Sequence, residues 1–142
     1  CSPHYHPMSQ GIALEGLRLV FENLPRAYAD GTDIEARANM MSAAAMGATA
    51  FQRGLGAIHS LAHAFGALHN SHHGTTNAVV APVVLRFNRP AIESQIERLA
   101  AYLGIDGGFD GFVVSERLLR QVEQLHYYAL LQGDLHGLAG VA

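Results

Sequence analysis

The sequence predicts an all-α fold, a multi-helix bundle of about six helices, on three observations. Apolar residues recur with the period of an α-helix along most of the chain. No segment alternates apolar and polar side chains as a half-buried strand does. The breaks between periodic stretches are short and carry Gly, Pro, Asp or Asn, which read as turns rather than linkers.

The first predicted helix runs from Gly11 to Leu24, with Ile12, Leu14, Leu17, Leu19, Val20, Phe21 and Leu24 as an apolar stripe. Pro25 is expected to stop it or restart it as a short turn. Asp30-Gly31 marks a turn, and Asp33 is placed to cap a second helix from Ile34 to about Arg53. Between Met40 and Ala50 that helix is almost entirely Ala, Ser, Met, Gly and Thr. Small residues on every face allow close approach of neighbours, so it is expected at the centre of the bundle. Met40, Met41 and Met46 are read as core side chains.

Gly54 and Gly56 break the chain before a third helix, Ile58 to about Leu68, and Asn70 to Gly74 reads as a polar loop. Thr75 or Thr76 can cap a fourth helix ending near Phe87. Pro90 then stands near the start of a fifth. Ile92, Ile96, Leu99, Ala100 and Leu103 form the buried face of that fifth helix, which Gly104 and Gly107-Gly108 end. A last helix is expected from about Phe109 to Leu131.

Composition narrows the function. The 142 residues are 49% apolar and only 15% charged, which is incompatible with a disordered chain. All nine basic residues are Arg, and with twelve acidic ones the net charge is −3. A nucleic-acid reader advertises itself with a basic patch, and a polybasic membrane anchor needs a cluster of cations; neither is present. No apolar run reaches the roughly 18 residues of a membrane helix. A single Cys excludes an intramolecular disulfide framework and fits a reducing, cytoplasmic setting. That Cys is residue 1, where an initiator Met would stand. The expectation is a processed chain or a piece of a longer one, ahead of a mature lipoprotein, which also begins with Cys.

Histidine is the outlier. There are nine, and five of them, His59, His63, His69, His72 and His73, fall in one short stretch. His59 and His63 are four apart, so on a helix both imidazoles project from one face. A helix ending in a turn can bring a third imidazole back towards them. Neutral imidazole ligates borderline divalent metals, so the set reads as a metal or catalytic site.

Other motifs fail. His59-Ser60-Leu61-Ala62-His63 has the spacing of a zinc-protease helix but carries Ser where that chemistry needs Glu. Gly54-Leu55-Gly56 begins like a dinucleotide fingerprint, yet His59 holds the place of the third Gly and no strand precedes it. Those glycines read as permissive backbone at a helix junction. Cys1 has no activating partner, His4 and His6 read as a solvated loop, and His126 and His136 stand alone.

The run Gly54-Leu55-Gly56-Ala57-Ile58-His59-Ser60-Leu61-Ala62-His63, then Gly66-Ala67-Leu68, His72-His73-Gly74 and Asn77-Ala78, resembles the signature of the iron-containing (group III) alcohol dehydrogenases. So does Ala36-Arg37-Ala38-Asn39-Met40-Met41. The resemblance covers about Cys1 to Phe112 and fades beyond Val113, leaving Ser115 to Ala142 divergent. It implies the helical C-terminal domain of a dehydroquinate-synthase-like, iron alcohol dehydrogenase architecture. An N-terminal NAD(P)-binding domain would be absent from this chain, and a divalent metal, Fe2+ or Zn2+, would sit between the two domains.

By this resemblance His59 and His73 are metal ligands, and His63 is a catalytic residue near nicotinamide and substrate that aids proton transfer; His72 is not a ligand. The resemblance further implies that the metal acts as a Lewis acid on the alcohol oxygen during hydride transfer. Two further ligands, an Asp and a His four apart, belong to a segment upstream of the one resembling Ser2 to Pro7. Departures are Ala64, where Pro is usual, and His69, where an aromatic such as Tyr is common.

The implied function is the metal-binding helical domain of an NAD(P)-dependent oxidoreductase that interconverts alcohols and aldehydes or ketones, inactive on its own. Its partners would be the missing dinucleotide-binding domain and a small alcohol or aldehyde, not nucleic acid or membrane. The alternative is a non-catalytic helical assembly or metal-binding module, in which a homo-oligomer could supply ligands in trans. A stand-alone His-rich metal carrier is a third expectation.

Overall fold

Helix capping sets most of the element boundaries in the computed structural model, which describes residues 4–51 and 54–114. In order these are α1 Pro7–Ala29, α2 Ile34–Ala50, α3 Ala57–His69, α4 His73–Phe87, α5 Arg89–Leu103 and α6 Gly108–Val114. No strand occurs among the described residues. None of their helices is long and apolar enough to cross a membrane. The expected all-α class is what the chain adopts.

The chain divides into two compact units, Cys1–Gly56 with Ile92–Phe112, and Ala57–Ala91 with Val113–Ala142. In the first unit α1 starts earlier than the hydrophobic stripe predicts. His6 is its N-cap, Nδ1 accepting from the Ser9 N–H at 3.2 Å, and Pro7 occupies the first turn. His6 is therefore a capping residue rather than part of a solvated loop. Pro25 does not stop the helix, which continues through it to Ala29. The last turn is held from outside. Arg26 donates to Asp33 and to Glu35, at 3.1 and 2.8 Å, tying the end of α1 to the start of α2. Those contacts anchor the turn that follows Pro25.

Asp33 caps α2 as expected, its Oδ1 accepting from the Ala36 N–H at 2.9 Å. Small residues then decide how closely α1 and α2 pack. A Cβ added at Gly16 would stand 3.3 Å from the Met46 Cβ, so that crossing tolerates little beyond hydrogen. Asn23, only 3% exposed, pins the same pair. Its amide donates to the Leu19 carbonyl at 2.9 Å and its oxygen accepts from Asn39 at 3.1 Å.

The expected central position of α2 is not found. Ala36 and Ala43 are its buried residues, and Met41 is 76% exposed. The reason lies in the side chains. Small residues on every face give the helix no preferred stripe, so packing one face on α1 leaves the rest open. Met46 meets α1, whereas Met41 is a surface residue.

On α5 the expected face is buried at Ile92, Ile96, Leu99 and Ala100, with Leu103 half-buried. Phe109 and Phe112 on α6 are buried as well, and the Phe112 ring lies 6.2 Å from that of Phe21 on α1. A Tyr102 hydroxyl bond to Glu15, at 2.8 Å, joins α5 to α1. The turn before α6 uses Gly107 and Gly108 at φ +86° and +55°, left-handed values that favour glycine. The last expected helix is seen to Val114, and its continuation to Leu131 lies outside the described residues, as do Cys1, His126 and His136.

The second unit contains the hairpin of α3 and α4, joined by three residues, Asn70 to His72. Asn70 takes φ 51° just past the end of α3, and its N–H donates to the Gly66 carbonyl at 3.0 Å. Asparagine tolerates that conformation better than most residues. Not Thr75 or Thr76 but His72 caps α4, its Nδ1 accepting from the Thr75 N–H at 3.3 Å. Ala62 and Val84 are the buried apolar side chains of this hairpin.

Candidate metal centre

Two helical repeats and one short turn assemble the site. On α3, His59 and His63 are one turn apart, with ring centroids 6.2 Å from each other. On α4, His73 and Asn77 are likewise one turn apart, and the Asn77 amide nitrogen lies 3.1 Å from the His73 Nε2. The tight connection turns α4 back along α3, so the two pairs face each other. His73 is then 5.2 Å from His59 and 5.4 Å from His63, ring centre to ring centre.

The sequence-predicted ligands and the predicted proton carrier thus form one cluster. His72 stays apart from it, occupied as a helix cap. His69 sits at the other end of α3, its ring 6.1 Å from Phe65.

His59 and His73 share a polar partner. Besides its contact with His73, the Asn77 amide nitrogen lies 3.5 Å from the His59 Nε2. An amide N–H2 only donates, so an amide nitrogen in this place is matched by Nε2 lone pairs, the pattern of Nδ1–H tautomers in both rings. Two lone pairs directed at one donor are also directed at one point where a cation could be accepted. The Asn77 Oδ1 is buried with no hydrogen-bond partner among the described residues, a situation worth about 1–3 kcal/mol of lost stability.

Electrostatics favours the neutral ligand form. Burial lowers the pKa of His59 below its usual value, and repulsion from His73 and then His63 lowers it further. His59 is half-buried while His63 and His73 are exposed, so solvent reaches the cluster at both of those rings. A neutral His59 can ligate a metal at neutral pH, and an exposed His63 can exchange protons with water. Among the described residues no group of three His, Cys, Asp or Glu is arranged to hold a metal ion. The fit is that of two imidazoles of an incomplete site, with His63 beside the pair rather than a third ligand.

Sequence reasoning missed the part played by Asn77. Its position four residues after His73 was the available signal, since that spacing on a helix puts both side chains on one face.

A helical domain with paired imidazoles at a hairpin is the class that fold and site define. The sequence model described as "Fe-containing alcohol dehydrogenase family, C-terminal" matches residues 1–136, past Phe112, where the motif-level resemblance ends. The chain belongs to the iron-containing alcohol dehydrogenase family and represents its C-terminal region. It is 52% identical over 95 residues to 4-hydroxybutyrate dehydrogenase of Cupriavidus necator, a match covering 63% of this chain and 25% of that protein. Methanol:N,N-dimethyl-4-nitrosoaniline oxidoreductase of Amycolatopsis methanolica is 36% identical, over 80% of this chain and 28% of that one. Among solved structures, an iron-containing alcohol dehydrogenase from Corynebacterium glutamicum superimposes with a TM-score of 0.73 at 32% identity, covering 86% of this chain and 34% of that one. A 1,3-propanediol oxidoreductase gives 0.74 at 29% identity, covering 87% and 33%. The chain therefore spans about a quarter to a third of the length of these relatives.

Proposed function

We propose that this chain is the metal-binding helical domain of an NAD(P)-dependent oxidoreductase that interconverts alcohols and aldehydes or ketones. The observation that carries this reading is the convergence of His59 and His73, 5.2 Å apart and both facing the Asn77 amide. His59 and His73 would hold a divalent metal, iron as in the family's name or zinc. When bound, such a metal supplies Lewis acidity that polarises the alcohol oxygen and lowers its pKa.

The chain's own residues then have separate tasks. His59 and His73 bind through Nε2, which their Nδ1–H tautomers leave free. His63, close to both rings and open to solvent, accepts the hydroxyl proton and passes it to water. A nicotinamide held by the missing domain would supply the hydride acceptor, so that one proton and one hydride are lost per alcohol oxidised. The dinucleotide-binding domain and the remaining ligands, an Asp and a His, would come from a segment outside these 142 residues. Relatives three to four times longer support that division.

Two ligands without the carboxylate hold a metal weakly, because affinity rises with ligand number and preorganisation. The purified 142-residue chain, supplied with Fe2+ or Zn2+, is accordingly expected to reduce no NAD(P)+ with alcohols. Nicotinamide reduction by that chain would overturn this division of labour. Weak Co2+ binding by the same chain is expected, weakened at least tenfold in a His59→Ala, His73→Ala double variant. Equal binding by the variant would remove both residues from the ligand set.

A further inference from the structure

The proposed metal pair leaves one side chain unexplained. Asn77 reaches both imidazoles, and its buried oxygen has no partner among the described residues. A residue serving only to fill space would not need an amide there, since an apolar side chain leaves no buried polar atom to satisfy. The contacts also cross between elements. His73 is on the same helix as Asn77, while His59 belongs to α3, so one amide links the two halves of the hairpin through the very atoms expected to ligate.

We propose that Asn77 is a positioning residue for the imidazole pair, its amide bridging the Nε2 atoms of His59 and His73. The two amide protons select the Nδ1–H tautomer of each ring and turn both lone pairs to a common point. The shorter contact, 3.1 Å to His73, fixes that ring firmly, and the 3.5 Å contact guides His59 more loosely. A divalent metal held by the two Nε2 atoms would then need no change of tautomer in either imidazole. Asn77 thus keeps the metal-free pair assembled. This inference rests on the proposed ligand roles only in its last step, because the tautomers can be read without any metal.

The test uses the full 142-residue chain labelled with 15N-histidine. In the metal-free protein, in alkaline buffer where imidazoles are neutral, the nitrogen shifts of His59 and His73 are expected to report unprotonated Nε2 on both rings. Asn77→Leu should relax both rings to mixed tautomers while retaining helical circular dichroism. Asn77→Asp offers only acceptors, so both rings should move to Nε2–H, a reversal that a packing role does not produce. Co2+ binding should weaken about tenfold in Asn77→Leu. Protonated Nε2 atoms in the unaltered chain, or tautomers unchanged in both variants, would overturn the proposal. If Asn77→Leu fails to fold, the Asn77→Asp reversal still decides. Failure of the unaltered chain to bind Co2+, with the tautomers as expected, would count against the metal reading and leave the role of Asn77 standing.

Discussion

The α1–α2 pair and the α3–α4 hairpin are both two packed helices, yet they spend their polar residues differently. Between α1 and α2, Asn23 has a donor and an acceptor satisfied, and Arg26 meets two carboxylates. Between α3 and α4 the polar groups are three imidazoles and an amide whose oxygen is buried without a partner. The first arrangement is complete in itself and holds a framework. The second leaves a buried polar atom unsatisfied, the situation native interiors mostly avoid. The apolar side chains tell the same story. The first unit buries Phe21, Ile92, Ile96, Leu99, Phe109 and Phe112 although it leaves Met8, Ile34 and Met41 exposed, while α3 and α4 bury only Ala62 and Val84 among their described apolar side chains and leave Leu61, Phe65, Leu68, Val79, Val83 and Phe87 exposed.

That contrast can be broken by truncating each core. Phe109→Ala, at a side chain 2% exposed, should cost about 3–5 kcal/mol in urea denaturation. Val84→Ala, in the hairpin, removes two methyl groups and should cost about 1.5–2 kcal/mol. Equal losses would mean that the hairpin depends on its own core as fully as the first unit does. A smaller effect sharpens the polar side of the contrast. Arg26→Ala should destabilise by no more than about 1 kcal/mol, since its ion pairs with Asp33 and Glu35 are partly solvated.

Acid titration of the metal-free chain should separate the regions with the smallest effect of all. Hydrogen bonds from Arg18 and then Tyr102 hold Glu15 down to about 2. Its contribution is full above the ordinary carboxylate value and is lost only as pH falls from there towards about 2. His59 is depressed by burial and by its neighbouring imidazoles, so the unfolded chain takes its proton first. The hairpin should therefore lose stability as pH falls below the ordinary histidine value, before the Glu15 contacts respond. His59→Gln should remove the earlier loss, and a melting curve series over pH would record it. An unchanged profile in that variant would deny the depression.

Much of this was legible beforehand, and the exceptions have physical causes. Asp33 announced its helix because a short carboxylate before an apolar stretch has few other local uses. His59 and His63 announced a shared face through spacing alone. Pro25 misled because a breaker acts locally, whereas Arg26 and its partners act across the α1–α2 junction. The exposure of α2 was hidden by residues too small to mark a face. His6 and His72 were overlooked as caps because imidazole seldom serves there, and Asn77 because its meaning depends on a residue 18 positions earlier.

The one-turn spacing of His73 and Asn77 on α4 has a consequence for how this pair can vary. One residue added between them would turn the amide by about 100° about the helix axis, carrying it to a different face. Their separation is therefore adjustable only in coarse steps, like the teeth of a gear. Side-chain replacements can soften the grip, but only a whole turn's worth of insertion, three or four residues, returns the amide to register.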